Sequence, residues 1–397
     1  MPRRIYLDYA ASTPVDPRVF DVMQPYFSEK FGNPGSLHSF GQEAIAAVDM
    51  ARETIAKEIG ADFREVIFTA SATEANNLVL RGVSRLVRRS SLRNPKIVIV
   101  ATEHESIIET ARALEQEGVE VVDLPVGMDG LVDLEAVKSA LDDRTVLVSV
   151  MYANNEVGVI EPVQKIFEII KEFRRVNGDK KPALLPLLHT DAVQAFPFLD
   201  CNVSDLSGVN GLGVDFMTIS SHKIYGPKGV GALYVRNPNM LVPLLTGGGQ
   251  EFGLRSGTEN IPAIVGFAHA AKLIAETRES ENVRITGLRD RLWQEIKNIF
   301  PQAELNHSLT KTSLPNIANI YFPDHAAQDL LTKFDLAGLA VSSGSACRSR
   351  ASGSSYVLEA MGYSKERAVS SIRFSAGRPT TEDEITLAVG IIREALR

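Results

Sequence analysis

The sequence predicts an α/β chain: a mostly parallel seven-stranded sheet flanked by helices, with a smaller α+β domain after it. Three observations predict it. Seven short β-rich runs fill the first two-thirds of the chain, helical patterns lie between several of them, and the character changes after the Gly-rich segment Thr246–Thr258. In order, the runs are Val66–Thr69, Ile97–Ala101, Val119–Leu124, Val146–Met151, Ala183–His189, Phe216–Ser220 and Gly231–Val235. Glu43–Ile59, Ile107–Gln116 and Val163–Arg175 carry apolar residues at helical spacing. Strands that are apolar throughout, rather than alternating, are covered on both faces, as in parallel sheets. Such sheets place a ligand beyond the carboxyl ends of their strands.

Beyond Thr258, Ile261–Ile299 reads as a long amphipathic helix holding the only tryptophan, Trp293. Strands at Ile317–Phe322 and Ser371–Ser375 and helices at Ala326–Phe334 and Glu382–Leu396 complete the smaller domain. The expected division is residues 15–260 for the large domain and 1–14 with 261–397 for the small one. Leu206–Gly213 reads as an exposed, flexible loop.

Composition excludes several classes of function. The 397 residues carry a net charge of −7, which argues against nucleic acid or an anionic membrane as a partner. No apolar run approaches the roughly 20 residues that cross a bilayer, and Met1–Asp8 lacks the apolar core of a secretory signal. A cytoplasmic location is expected, and an organelle form with its presequence removed would read the same. Two cysteines, Cys201 and Cys347, make no disulfide framework, and the seven histidines show no metal-binding spacing, so no metal site is expected.

The residues able to carry chemistry fall at strand ends. Lys223, in Ser220-Ser-His-Lys223, follows an apolar strand and precedes a Gly/Pro turn. It is either a solvated loop lysine or an amine held to form a Schiff base with pyridoxal phosphate. Asp191 follows the apolar run Leu184–Leu188. It is either a helix N-cap or the partner of a pyridinium nitrogen, with Gln194 three residues on to meet a phenolic oxygen. Ser71-Ala72-Thr73-Glu74 opens a helix and makes either a phosphate-binding N-terminus or an ordinary first turn. His104 is either structural or a ring-stacking proton relay. Ser342–Arg350 is a small-residue loop around Cys347 with two arginines that favour a thiolate, an unusual setting for a structural cysteine. Cys201 has no such setting and is assigned as structural. Arg373 is a lone cation in an apolar strand, suited to binding a carboxylate through its planar fork.

Together these motifs resemble the cysteine desulfurases of the NifS/IscS type, in the class V group of pyridoxal-phosphate aminotransferases. The likeness runs through Tyr6–Pro14, Gly32–Pro34, Leu37–Gly41, Ala72–Glu74, Thr102–His104, Asn154–Gly158, Ser221–Gly229, Arg255–Thr258, Ser342–Cys347 and Ser371–Phe374. The resemblance implies the fold type I of pyridoxal-phosphate transferases, with pyridoxal 5′-phosphate on Lys223 and Cys347 as sulfur acceptor. It implies that L-cysteine becomes L-alanine with a persulfide on Cys347, supplying iron–sulfur cluster or tRNA thiolation pathways through an acceptor protein such as a scaffold or sulfur carrier. It further implies that His104 stacks on the ring, Asp191 pairs with its nitrogen and Gln194 meets its phenolic oxygen. Ala72, Thr73, Ser220 and His222 would hold the phosphate. Thr258 would reach the phosphate of the other subunit, which implies a homodimer. Asn155 and Arg373 would hold the substrate carboxylate, with Asn33 near it.

Two departures from the family pattern bear on partners rather than chemistry. The segment between Asp191 and Lys223 is about six residues longer than usual, with the extra length expected at Leu206–Gly213. The chain stops at Arg397, without the extension that docks a scaffold protein in the IscS branch. Rival functions on the same fold are a selenocysteine lyase or a small-amino-acid aminotransferase or lyase. Aminotransferases need no loop cysteine. A catalytically idle scaffold predicts damage to the lysine, the aspartate or the cysteine, and all three are present.

Overall fold

The computed structural model describes residues 4–89, 94–177, 185–204, 211–344 and 354–397. The first segment holds β1 (Ile5–Tyr6), α1 (Pro17–Met23), α2 (Pro25–Ser28) and α3 (Ser39–Ile59). Asp16 starts α1 by accepting from the Arg18 N–H, and Pro17 fills the first helical position, where no N–H is needed. Gly60, with φ of 65°, ends α3 in the left-handed conformation that glycine adopts without strain.

The chain then lays down β2 (Val66–Thr69), α4 (Ala72–Arg89), β3 (Lys96–Val100), α5 (Glu105–Gln116), β4 (Glu120–Leu124) and α6 (Leu134–Ala140). β5 (Thr145–Ser149), α7 (Val163–Asn177), β6 (Leu187–Asp191), β7 (Phe216–Ser220) and β8 (Gly231–Val235) follow. These strands form the expected seven-stranded sheet, in the order β2-β8-β7-β6-β5-β3-β4. The pairings from β7 through β4 are parallel, and β8 runs antiparallel to both its neighbours. β2 is thus parallel to β7, and the carboxyl ends of β2, β3, β5, β6 and β7 share one edge.

Successive strand residues alternate between two apolar layers. Val66 and Phe68 with Val98 and Val100 pack with α3, α7 and the long helix α8 (Ile261–Ile299). Ile67, Ile97 and Ile99 pack with α4 and α5. Helices on both faces therefore explain why these runs are apolar throughout.

After α8 come β9 (Glu304–Leu305), β10 (Ile317–Tyr321), α9 (Ala327–Leu336), β11 (Leu339–Ala340), α10 (Tyr356–Ala360), α11 (Lys365–Val369), β12 (Ser371–Ser375) and α12 (Glu382–Ala395). β12, β10 and β9 form an antiparallel sheet, while β1 pairs in parallel with β11. A separate apolar core joins Ile5 and Leu7 to Leu292, Phe322, Phe374 and Ile385. Thr381 and Glu384 start α12 with a reciprocal capping box. Among the described residues no helix is long and apolar enough to cross a membrane.

Two expectations shift. β6 begins at Leu187 and ends on Asp191, because Pro186 has no N–H to donate to a ladder. Of the stretch expected as an exposed loop, residues 206–210 lie outside the described residues, while Leu212 and Gly213 are buried. Leu212 joins the apolar core, and a side chain on Gly213 would strike the Phe167 ring.

Candidate active site

The shared carboxyl edge opens onto a cavity of about 330 Å³. Ala72, Thr73, His104, Asn155, Asp191, Gln194, Ser220, His222, Lys223 and Arg373 all line it. Lys223 ends a single 3₁₀ turn that leaves β7 at Ser220. Its ammonium donates to the Ala10 and Ala11 carbonyls, each at 2.7 Å. His222 Nδ1 lies 3.3 Å from Ser12 Oγ. Burial, helped by Lys223 and Lys228, lowers its pKa to about 4, so this imidazole is neutral at pH 7.

Asp191, only 4% exposed, accepts the Val193 N–H at 3.0 Å and the Asn76 amide at 2.8 Å. No helix starts directly after Asp191, so the N-cap reading is replaced by a turn contact to Val193 on a carboxylate that also lines the cavity. Gln194 donates to the Ala10 carbonyl at 2.9 Å. His104 caps α5, where its Nδ1 accepts the Ser106 N–H at 3.1 Å and stands 2.8 Å from Ser106 Oγ. A ring nitrogen that accepts carries no proton, which puts the ring hydrogen on Nε2. Asn76 Nδ2 also donates to Ser106 Oγ at 2.8 Å, so one amide ties Asp191 to the support of His104. Ser71 Oγ accepts the Glu74 N–H in the first turn of α4, whose positive end faces the cavity through Ala72 and Thr73.

Across the cavity, Arg373 of β12 is 2% exposed. It donates from Nη1 to the Asn155 carbonyl and pairs through Nη2 with Asp8, both at 2.7 Å. Among the described residues, its Nε and the Asn155 Oδ1 have no hydrogen-bond partner. A buried polar atom left unpaired costs about 1–3 kcal/mol, so both are suited to a ligand's polar groups.

Two candidates stand apart from this cavity, and a third lies outside the described residues. Thr258 lines a neighbouring cavity of about 220 Å³ with Glu251 and Arg255, separated from the first by Ala70, Gly229 and Val230, which line both. Asn33 is exposed, its side chain accepting the Gly35 N–H. Cys347 lies outside the described residues, and Gly344, three positions before it, lines the main cavity. Cys201 is buried, and burial pushes its thiol up to about 12.

Sequence reasoning missed Asn76, Ser106 and Glu156. Asn76 could have been found as the one polar residue on the helical face it shares with Val79, Leu80 and Val83, all fully buried. Glu156, in the quoted Asn154–Gly158 motif, is buried and accepts from Ser355 Oγ at 2.5 Å. Burial raises its carboxyl to about 7, with Ser355 and Arg373 pulling the other way.

A pocket at the carboxyl edge of a helix-covered parallel sheet, with a lysine, a buried aspartate and an arginine converging, is the arrangement of a pyridoxal-phosphate transferase. The chain belongs to the class-V aminotransferase family, whose pattern it matches over residues 5–387. It is 46% identical over 398 residues to the cysteine desulfurase IscS of Histophilus somni (strain 2336), covering 99% of this chain and 93% of that protein. Over 391 residues it is 44% identical to the cysteine desulfurase IscS of Rickettsia typhi (strain ATCC VR-144 / Wilmington), covering 98% and 90%. A solved NifS-like protein superposes with a TM-score of 0.88 at 35% identity, covering 98% of both chains. Enzymes of this kind depend on pyridoxal 5′-phosphate. The cavity's amine, carboxylate, helix N-terminus and unpaired polar atoms fit that group and an amino-acid substrate.

Proposed function

We propose that the chain is a cysteine desulfurase that converts L-cysteine to L-alanine while the sulfur passes to Cys347 as a persulfide. The observation that carries this reading is one cavity holding Lys223, Asp191 and His104 on one side and Arg373 and Asn155 on the other. Full-length similarity to curated cysteine desulfurases supports the choice of substrate. Pyridoxal 5′-phosphate, when bound, draws electrons from the substrate α-carbon.

Lys223 holds the cofactor and moves a proton at that α-carbon. Asp191 pairs with the ring nitrogen, Gln194 meets the phenolic oxygen, and the neutral Nε2–H form of His104 stacks on the ring. Ala72, Thr73, Ser220 and His222 receive the phosphate at the positive end of α4. Arg373 and Asn155 grip the substrate carboxylate, and Asn33 is the remaining member of the substrate set. The Cys347 thiolate then attacks the substrate sulfur. A sulfur–sulfur bond forms, the carbon–sulfur bond breaks, and the electron pair left on the β-carbon takes up a proton to give the methyl group of alanine.

The chain works as a homodimer in which Thr258 serves the phosphate of the partner subunit. The exposed Phe27, Phe31, Leu37 and Phe40 support such an interface, since large apolar side chains clustered at a surface mark an interaction site. It acts in the cytoplasm and passes its persulfide to an acceptor protein, an iron–sulfur scaffold or a sulfur carrier. Residues 15–260 form its large domain and 1–14 with 261–397 its small one; the separate core that unites Ile5 and Leu7 with Leu288, Leu292, β10 and β12 supports this division, while Ile261–Ile274 of α8 packs on the large sheet.

The test is alanine and sulfide yield from L-cysteine, with L-selenocysteine alongside to separate sulfur from selenium preference. Cys347→Ser keeps the yellow cofactor absorbance and loses sulfide release. Sulfide release at the wild-type rate in that variant would remove Cys347 from the reaction.

A further inference from the structure

We infer that Glu156 is a positioning residue for sulfur transfer, because its carboxylate bonds Ser355 and packs beside Gly344, the described residues that flank the stretch carrying Cys347. The inference rests on the desulfurase reading and adds a residue that the reading does not use.

The geometry converges from three parts of the chain. Ser342 pairs with Arg373 of β12 through both backbone hydrogen bonds, so the chain leaves that strand immediately before Gly344. Gly344 has φ of 86°, and a Cβ there would stand 2.6 Å from Glu156 Oε2. Only a glycine lets the backbone come this close. On the return side, Ser355 donates its hydroxyl to the same Oε2 at 2.5 Å while its oxygen accepts the Leu358 N–H and starts α10. Glu156 is itself fixed. Its N–H donates to Asn154 Oδ1 at 2.8 Å, and its carbonyl accepts from Asn319 at 3.0 Å.

A single buried oxygen thus accepts from Ser355 and leaves room for no side chain at residue 344, eleven positions earlier, and Asn155 beside it faces the cavity. β12 holds the outgoing end and Glu156 the returning end, and fixing the second removes chain entropy that would otherwise dilute the intervening groups at the cavity. Glu156 acts through this contact and has no part in proton movement at the α-carbon.

The reaction divides in a way that tests this. Exchange of the substrate α-proton with heavy water needs Lys223 and not Cys347, whereas alanine and persulfide formation need both. Glu156→Ala and Ser355→Ala should each leave α-proton exchange unchanged and slow persulfide formation between about 10-fold and 10²-fold. Glu156→Gln, whose amide oxygen still accepts from Ser355, should restore most of the rate.

An independent readout uses the apoenzyme. Tryptic cleavage after Arg348 and Arg350 should be faster in both alanine variants than in the wild type. Wild-type persulfide formation together with wild-type cleavage in both variants would overturn the inference. So would an equal loss of α-proton exchange and persulfide formation, which marks general damage to the cavity. If Glu156→Ala does not fold, Ser355→Ala decides alone. Failure of the desulfurase reading itself appears separately, as sulfide release surviving Cys347→Ser.

Discussion

The two walls of the cavity differ in how their polar atoms are engaged before any ligand arrives. On the wall made by the strand ends of the central sheet, Asp191 has a partner on each oxygen, Lys223 has two carbonyls, Gln194 has one, and His104 Nδ1 is held by Ser106. On the wall made by β12 and the Asn155 turn, Arg373 is held through its two Nη atoms, while its Nε and Asn155 Oδ1 have no partner among the described residues. A cofactor site benefits from groups already fixed in place, because their ordering is then complete before binding. A site for a substrate that enters and leaves each cycle benefits from polar atoms whose partner is the substrate. The difference assigns retention and electronics to one wall and substrate recognition to the other.

Replacing Lys223 with alanine should break the first wall most severely. Turnover should fall by at least about 10³-fold, and borohydride should no longer fix the cofactor to the chain. Covalent fixation that persists in Lys223→Ala would move the attachment elsewhere. Arg373→Lys keeps the charge and loses the fork. The expected result is a KM for L-cysteine raised about 100-fold with the cofactor absorbance unchanged, the scale of losing charged hydrogen bonds. A fall in cofactor retention with KM unchanged would erase the division between the walls.

The smallest effect concerns pH. Glu161 backs the Asn155 turn, accepts the Val132 N–H at 3.1 Å, and is raised by burial to about 8. Its folded-state pKa lies above the unfolded value, so its stabilisation is complete below the unfolded pKa and is lost as pH rises through about 8. Glu161→Gln should therefore flatten the decline in Tm between about pH 5 and pH 9, by on the order of 2 °C. A decline as steep as wild type would show that another group controls it.

Much of this was legible in the sequence because chemistry-bearing residues interrupt apolar runs. Asp191 ends β6, Lys223 follows β7, and Arg373 is the lone cation of β12, and each breaks a pattern that burial alone would keep apolar. The strand and helix order followed from the same patterns, with β2, β7 and β8 at the expected residues. What was hidden depends on contacts across sequence. Glu156 meets Ser355 from 199 positions away, and no local pattern encodes that distance. The carbonyls of Ala10 and Ala11 are backbone acceptors, which any residue supplies, so their role at Lys223 has no side-chain signature. The end of Leu206–Gly213 was misjudged for the opposite reason, since its glycines outweighed Leu212, which packs into the core.

The Ala10 carbonyl that receives Lys223 and Gln194 has a further consequence, for the order of events on the ribosome. Residue 10 is held by Ser375, whose side-chain oxygen accepts its N–H at 3.0 Å across 365 positions, while Tyr9 donates to the Ser375 carbonyl. Residue 10 therefore receives this bond only after residue 375 has been made, later than the Gln194 amide that meets its carbonyl. A nascent chain can close the seven-stranded sheet once β8 has emerged, yet it still lacks Arg373 in the cavity wall and the Ser375 bond to residue 10. Catalytic competence is consequently a late product of synthesis, and a polypeptide released before β12 would carry Lys223, Asp191 and His104 without a finished cavity around them.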